Sequence, residues 1–324
     1  MNNNFCFHFD SNYLPYGMTL IDSINKHIVN SKIFVATLDQ YSYDFLVSQK
    51  ISNVEIIKGQ KIENKFSELI DLKSSRTKVE YFFTLTPAIC KYIIEEFPDI
   101  KRLNYLDSDL YFFSNPQLLF NEIGDSSIAI IEHRFGFTSR HNIKYGRFNV
   151  GWISFLNDKQ GTECLNNWFD DCIEWCYQVL EPDRYADQKY LNKWPSTYKG
   201  LKIIQNKGAN LAPWNISNYK IKKIDKKLIV DEDELLFFHF ANLKQIDRYK
   251  FKTNLSRLLI STSGTIKNEI YMPYLRNLSD NIEKTGIRLN HKKNIRNKSF
   301  FINILVEISR YIRDFLYYDI IELK

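Results

Sequence analysis

NYLDSDLYFF, residues 104–113, is the stretch on which the reading of this chain turns. An apolar strand over 102–106 runs into Asp107 and Asp109, whose i, i+2 spacing puts both carboxylates on one face if strand geometry continues. Two carboxylates converging at the carboxyl end of a sheet strand suit a hard divalent cation that carries phosphate oxygens. The D-x-D pattern alone says little, since a chain with this Asp content holds roughly one by chance. Asp231 and Asp233 form a second one. That pair precedes its apolar run instead of ending it and reads as an exposed turn.

Working outward, the short apolar runs 5–9 (FCFHF) and 33–38 (IFVATL) flank an amphipathic stretch from Tyr16 to His27, which is a βαβ beginning and implies a parallel sheet. Further strands are predicted at 54–57, 102–106, 127–131, 148–155 and 235–240, and helices at 61–72, 78–96, 160–179 and 186–193. Thr86 before Pro87 has the form of a helix start, so a break is expected there. Trp168, Cys172, Trp175 and Cys176 share helical spacing and read as a core stripe.

Hydrophobic residues at 44% and charged residues at 25% exclude a disordered chain. Five cysteines with no C-x-x-C pair argue against a disulfide framework or a zinc site, and a reducing compartment fits them. No signal peptide and no membrane-spanning run of about eighteen apolar residues is expected. Seven Lys/Arg and one acid between Gly286 and Arg313 account for the whole net charge of +6. The basic, Asn-rich stretch 288–298 is followed by Phe301, Ile304, Leu305, Ile308, Tyr311, Ile312 and Phe315 at helical spacing. A catalytic domain over 1–265 and a helical appendage over 266–324 are expected, the appendage from Gly286 meeting a membrane surface or a partner, or else its helix simply closing the fold or forming a dimer.

YLDSDLYFF followed by FNVGW (148–152), DQKYL (187–191), GANLAPWN (208–215) and FHF (238–240) resembles glycosyltransferase family 8 and related bacterial sugar transferases of capsule or lipopolysaccharide synthesis. The resemblance implies the GT-A fold: α/β, with a mostly parallel central sheet between helices. It implies a metal held by Asp107, Asp109 and His239, with Mn²⁺ (or Mg²⁺) suited to a site of two carboxylates and one nitrogen. Read from the residues alone, His239 in its apolar run is equally a core histidine. Asp10, Asn12 and Tyr13 (DSNY) look like the segment that holds the uridine and ribose, or else they only turn the chain into the first helix. Arg76 is the candidate basic residue that meets the donor, the alternative being an i, i+4 surface pair with Glu80. Asn149 and Gly151 look like the block facing the sugar. Asp187 and Gln188 match the family's DQ, with a helix cap as the other role for Asp187. The continuation HFANLKQID departs from the family's H-x-x-G-x-x-K-P-W, and Lys244 stands one position early for a diphosphate contact. Trp214 is either a sugar platform or a buried ring.

The expected function is metal-dependent transfer of a hexose-type sugar from a UDP-sugar to a glycan or lipid-linked acceptor in bacterial surface polysaccharide synthesis. The expected location is the cytoplasm, with peripheral contact to the inner face of the plasma membrane, and no nucleic-acid partner is expected. A nucleotidyltransferase would need a glycine-rich phosphate loop after the first strand, which HFDSNYLPYG lacks. The alternative is a catalytically inactive sugar-binding or assembly subunit of the same fold.

Overall fold

The structure, a computed structural model, describes residues 3–289 and 309–323. Alternating apolar runs and amphipathic stretches give β1 (Asn3–Phe9), α1 (Leu14–His27), β2 (Ser31–Thr37), α2 (Gln40–Gln49) and β3 (Val54–Lys58). Then come α3 (Gly59–Lys65), α4 (Glu68–Ser75), α5 (Lys78–Glu96), β4 (Arg102–Leu106), β5 (Leu110–Phe112) and α6 (Gln117–Ile123). They are followed by β6 (Ile128–Glu132), β7 (Phe148–Leu156), α7 (Lys159–Glu174), α8 (Trp194–Thr197) and β8 (Leu201–Ile204). The seven-stranded central sheet has the order β3-β2-β1-β4-β7-β6-β8. It is parallel except where β7 runs against both β4 and β6, because β7 follows β6 without a crossover helix.

The order reverses between β1 and β4, whose carboxyl ends lie side by side. In an open α/β sheet that crevice is where ligands bind. Asp10 leaves β1 there and Asp107 leaves β4. α5 and α7 cover one face of the sheet with Ile89, Ile93, Trp168 and Phe169, while α1 covers the other with Leu20, Ile21 and Ile24. Of the expected helical core stripe, Trp168 and Cys172 are buried on α7; the helix ends at Glu174, so Cys176 is buried beyond it and Trp175, in extended backbone, is only partly buried.

The helix expected over 160–179 stops at Glu174, and that over 186–193 is a 3-10 turn at Lys189–Lys193. Two further expectations fail for local reasons. The helix expected over 61–72 is two helices, α3 and α4, because Phe66 caps the first and buries its ring 4.9 Å from Phe169. No break occurs at Thr86–Pro87. α5 starts at a capping box, with Thr77 accepting from the Glu80 amide and Glu80 reaching back to the Thr77 amide, and its buried stripe continues through Pro87. That packing outweighs the hydrogen bond the proline lacks.

Beyond the sheet, β9 (Ile221–Ile224), β10 (Lys227–Val230) and β11 (Asp233–Glu234) form a meander, with Asp231 in its turn at φ +56°. β12 (Phe237–His239) pairs with β5. β13 (Lys244–Asp247) and β14 (Lys250–Lys252) are joined by β15 (Ile320–Glu322) from the other end of the chain. α9 (Met272–Thr285) lies on α1, where Asn277 and Asn281 both donate to Asp22. A third core gathers Phe238, Phe240, Phe251, Tyr271, Tyr274 and Ile321. The fully buried Asp319 accepts from Thr253 Oγ1 (2.6 Å) and Ser256 Oγ (2.8 Å), tying the last residues to the loop after β14. Most of the basic stretch, and Phe301, Ile304, Leu305 and Ile308, lie outside the described residues. Residues 309–316 are helical and expose Tyr311, Ile312, Phe315 and Leu316. No helix among the described residues is long and apolar enough to cross a membrane.

Candidate functional site

The chain turns tightly after β4. The Leu110 amide donates to the Asp107 carbonyl at 3.2 Å, and Ser108 Oγ donates to the His8 carbonyl at 2.8 Å, which pins the turn to the end of β1. β5 then pairs antiparallel with β12, setting Leu110 opposite His239. The Phe240 amide donates to the Asp109 carbonyl at 2.9 Å. This backbone ladder brings His239 to the two carboxylates: its Nε2 lies 3.0 Å from Asp109 Oδ1 and 3.7 Å from Asp107 Oδ2. Asp107, Asp109 and His239 each offer one ligand atom, all within 4.8 Å of one another, so two carboxylate oxygens and one imidazole nitrogen fit a divalent cation.

The electrostatics fit as well. Burial, opposed by His239 and assisted by Asp109, pushes Asp107 up to about 6. Burial works to lower His239, but Asp109 and Asp107 outweigh it and leave it raised. Two groups, Asp107 and His239, that hold protons more firmly than usual around one point are what a site built for a cation looks like without its charge.

The β6–β7 ladder jumps register between Ile130↔Ile153 and Ile131↔Asn149, so β7 bulges away from β6 around Gly151. The bulge turns the Gly151 carbonyl to the Asp107 amide (3.2 Å) and Asn149 toward His239. A Cβ on Gly151 would meet Asn149 Oδ1 at 2.5 Å and His239 Nδ1 at 2.8 Å, so only glycine allows this approach. Asn149 is buried, and its Oδ1 accepts from the Gly151 amide at 3.1 Å and lies 3.3 Å from His239 Nδ1.

A cavity of about 270 Å³ opens over the cluster, lined by Tyr13, Asp107, Asp109, Asn149, Asp187, Gln188 and His239. Asp187 does not cap a helix: the next residues form a 3-10 turn capped by no side chain, and its carboxyl is buried in the cavity wall. Burial and then Asp107 push it up to about 8. Gln188 Nε2 donates to the Tyr145 carbonyl at 3.0 Å. Gln188 also lines a second cavity of about 320 Å³, with Phe135, Tyr145, Tyr185, Trp214 and Arg257. Trp214 is only partly buried, and its ring stands edge-on to His239 at 5.0 Å.

Of the DSNY residues, Tyr13 lines the first cavity and is about half exposed. Asp10 is buried and organises the loop, accepting from the Asn12 amide (3.1 Å), Asn12 Nδ2 (2.8 Å) and Lys78. Arg76 is not brought to the site. Its guanidinium is buried and donates to the carbonyls of Cys172 and Ile173, both at 2.7 Å, closing the carboxyl end of α7, where free carbonyls attract a cation. Lys244 opens β13 and lines neither cavity. Burial, with Arg257, Lys252 and Arg310 near it, lowers its pKa.

The sequence reading missed His8, Tyr105 and the α5 wall of Val79, Phe82, Phe83 and Thr86, all of which line the first cavity. Burial pushes His8 down to about 4, and Tyr105 donates to Asp107 Oδ1 at 3.2 Å. His8 stands at the end of β1, where the strand-end rule that singled out Asp10 applies equally. His133, beside Asn149, was missed too. It lies just past β6, in a sequence context with no signal of its own.

No protein-family model matches the chain. Among solved structures, the galactosyltransferase LgtC, in complex with donor and acceptor sugar analogues, superposes with a TM-score of 0.53 at 13% identity, over 90% of this chain and 98% of LgtC. An active-site mutant of LgtC gives 0.51 at 14% identity, over 75% of this chain and 88% of the mutant. These likenesses establish the fold as GT-A. The chain is 25% identical over 260 residues to the uncharacterized protein YfnF of Bacillus subtilis strain 168, covering 78% of this chain and 85% of YfnF. It is 35% identical over 266 residues to the uncharacterized protein YfnD of the same organism, covering 81% of this chain and 84% of YfnD. With that identity over that length, the chain belongs to the protein family of YfnD, built on a GT-A scaffold.

Proposed function

We propose that this protein is a metal-dependent glycosyltransferase, akin to glycosyltransferase family 8, that moves a hexose-type sugar from a UDP-sugar to a glycan or lipid-linked acceptor. The observation that carries the reading is the convergence of Asp107, Asp109 and His239 at the strand-order reversal of a GT-A sheet, beneath a cavity. LgtC, which shares the fold, is a galactosyltransferase, and that supports sugar transfer as the reaction class.

Asp107, Asp109 and His239 would hold Mn²⁺ or Mg²⁺, which supplies charge neutralisation for the donor diphosphate and for the nucleotide as it leaves. Tyr13 presents its ring to the base, on a loop braced by Asp10 and Asn12. Gln188 lines both cavities, and its neighbour Asp187 lines the first. There they bind the hydroxyls of the transferred sugar and of the acceptor, and the aromatic second cavity takes the acceptor glycan. Asp187 holds its proton more firmly than a solvated carboxyl.

A lipid-linked acceptor lies at a membrane surface. The exposed Tyr311, Ile312, Phe315 and Leu316, close in sequence to the basic stretch 288–298, suit peripheral docking at the cytoplasmic leaflet, where the protein would act in surface polysaccharide synthesis. The test of the activity is release of nucleoside diphosphate with Mn²⁺ across a panel of UDP-sugars. Cleavage of one donor that stops with excess chelator supports the reading. Metal binding with no turnover on any donor or acceptor would return the chain to a sugar-binding or assembly role.

A further inference from the structure

The amide of Asn149 has a determined polarity, and that polarity fixes the protons on two histidines. The Gly151 N–H, a pure donor, points at one end of the Asn149 amide at 3.1 Å, so that end is the oxygen. The other end, a donating NH₂, lies 3.3 Å from His133 Nε2, which must therefore accept. A His133 ring that accepts at Nε2 carries its proton on Nδ1, and Nδ1 lies 3.3 Å from the Arg147 carbonyl, a pure acceptor. The two contacts of His133 thus agree. On the other side, His239 Nδ1 lies 3.3 Å from the same Asn149 oxygen and must donate. Its Nε2 is then the nitrogen turned to Asp107 and Asp109.

The His133 ring is held to do this. It is 6% exposed, stacks on Phe135 at 4.5 Å with planes 10° apart, and meets Trp214 edge-on at 5.3 Å. Its backbone N–H also bonds the Arg147 carbonyl, at 3.0 Å. Burial pushes the ring down to about 4, so it stays neutral at ordinary pH.

We infer that His133 is a positioning residue for the metal site: it holds the NH₂ end of Asn149, and Asn149 in turn holds His239 with its Nε2 lone pair toward Asp107 and Asp109. Without His133, a buried N–H donor is left unpaired, and an unpaired buried donor is costly. The side chain relieves that cost by turning, which takes its oxygen away from His239. A ligand histidine whose far nitrogen is unsupported binds metal less well. The inference rests on the reading of the cluster as a metal site.

Mn²⁺ is titrated into the metal-free full-length protein and free Mn²⁺ is counted by electron paramagnetic resonance, alongside the melting temperature without metal. His133→Leu is expected to weaken Mn²⁺ binding by about 10–100-fold. His133→Gln, whose side-chain oxygen accepts from the same Asn149 N–H, should restore most of the affinity. Wild-type affinity in His133→Leu overturns the proposal, as does an equal loss in both variants that tracks their melting temperatures. Should the leucine variant not fold, nitrogen-15 NMR of the wild-type protein decides: His133 Nε2 must be unprotonated at neutral pH, and a protonated Nε2 overturns the proposal. Asp109→Asn separates the two ideas. If neither it nor wild type binds Mn²⁺, the metal reading falls, while the NMR result still judges the hydrogen-bond chain.

Discussion

Asp109 is tied to His239 and its neighbour in two ways: the Phe240 amide donates to the Asp109 carbonyl at 2.9 Å, and the Asp109 and His239 side chains lie 3.0 Å apart. The first contact builds the second. A ligand delivered by a two-stranded ladder is preorganised, because moving His239 away would break the β5–β12 pairing. Removing the Asp109 carboxylate while keeping its shape should therefore abolish metal binding and turnover with little effect on the fold. Asp109→Asn is expected to melt within a few degrees of wild type in chelator. Full activity of this variant, or of wild type in excess chelator, contradicts the metal reading.

His239→Ala should weaken Mn²⁺ binding by more than it lowers the melting temperature without metal, since the backbone ladder survives the substitution. The reverse pattern, a large loss of metal-free stability with normal Mn²⁺ dependence, would assign His239 to the core instead. Mn²⁺ calorimetry and thermal melts on one sample separate the two.

Metal affinity should depend on pH in a predictable direction. Asp107 must be ionised to bind a cation, and it is pushed up to about 6. Below that pH, affinity should fall by up to about tenfold per pH unit, one proton being displaced. His239, also raised, steepens the fall. Flat affinity between pH 5 and 8, measured by titration, contradicts the assignment of Asp107.

Asp187 gives a stability prediction of definite sign. Its folded pKa, about 8, lies above the unfolded value near 3.9, so the folded state binds the extra proton. The stabilisation from that proton is complete at acid pH and is lost as pH rises through about 8. Asp187→Asn cannot ionise, so without metal its melting temperature should gain on wild type between pH 6.5 and 9. The gain corresponds to about 1–2 kcal/mol over that window. His8 and His133, lowered to about 4, titrate below it and do not interfere in the folded state. A difference that does not change with pH rules the prediction out.

Gly151→Ala should impair metal binding although glycine has no functional group. The new methyl would overlap Asn149 Oδ1 and His239 Nδ1. Overpacking of this kind costs about 1–3 kcal/mol, and the softest response is displacement of the two side chains. We expect weaker Mn²⁺ binding in folded protein. Unchanged affinity would mean that the bulge backbone yields instead.

Asp319 and Phe315 separate the anchoring of the C-terminal segment from its exposed surface. Asp319→Ala removes a fully buried carboxylate that accepts three bonds from Thr253 and Ser256 and lies 4.0 Å from Lys252. About 3–5 kcal/mol of stability should go with it. Phe315→Ser, at a 72% exposed position, should leave stability intact and reduce adsorption to anionic vesicles, which itself should weaken steeply with salt. Indifference of the wild-type protein to such vesicles at low salt contradicts membrane docking.

What this sequence determined by itself is what short-range geometry encodes. The period of apolar residues marked β1, α1, β2 and β4, and the i, i+2 spacing set Asp107 and Asp109 on a strand end. The order of the motif blocks pointed to His239 and Asp187, and both line one cavity. Only the tertiary structure decided which distant groups meet. The pairing of Leu110 with His239 depends on cross-strand register, and the bulge that turns Asn149 to His239 depends on β7 being pulled between β4 and β6. Arg76 went to the end of α7 because unpaired helix carbonyls lay within reach. The α5 helix ran through Pro87 because burial of its face outweighed a local breaker. His133 could not be found from its neighbours in sequence, since its partners, the Arg147 carbonyl and the Asn149 amide, come to it only when β6 and β7 pair. Local periodicity is written in a few consecutive residues, whereas register and the pairing of buried polar groups are settled by the energy of the whole packed core.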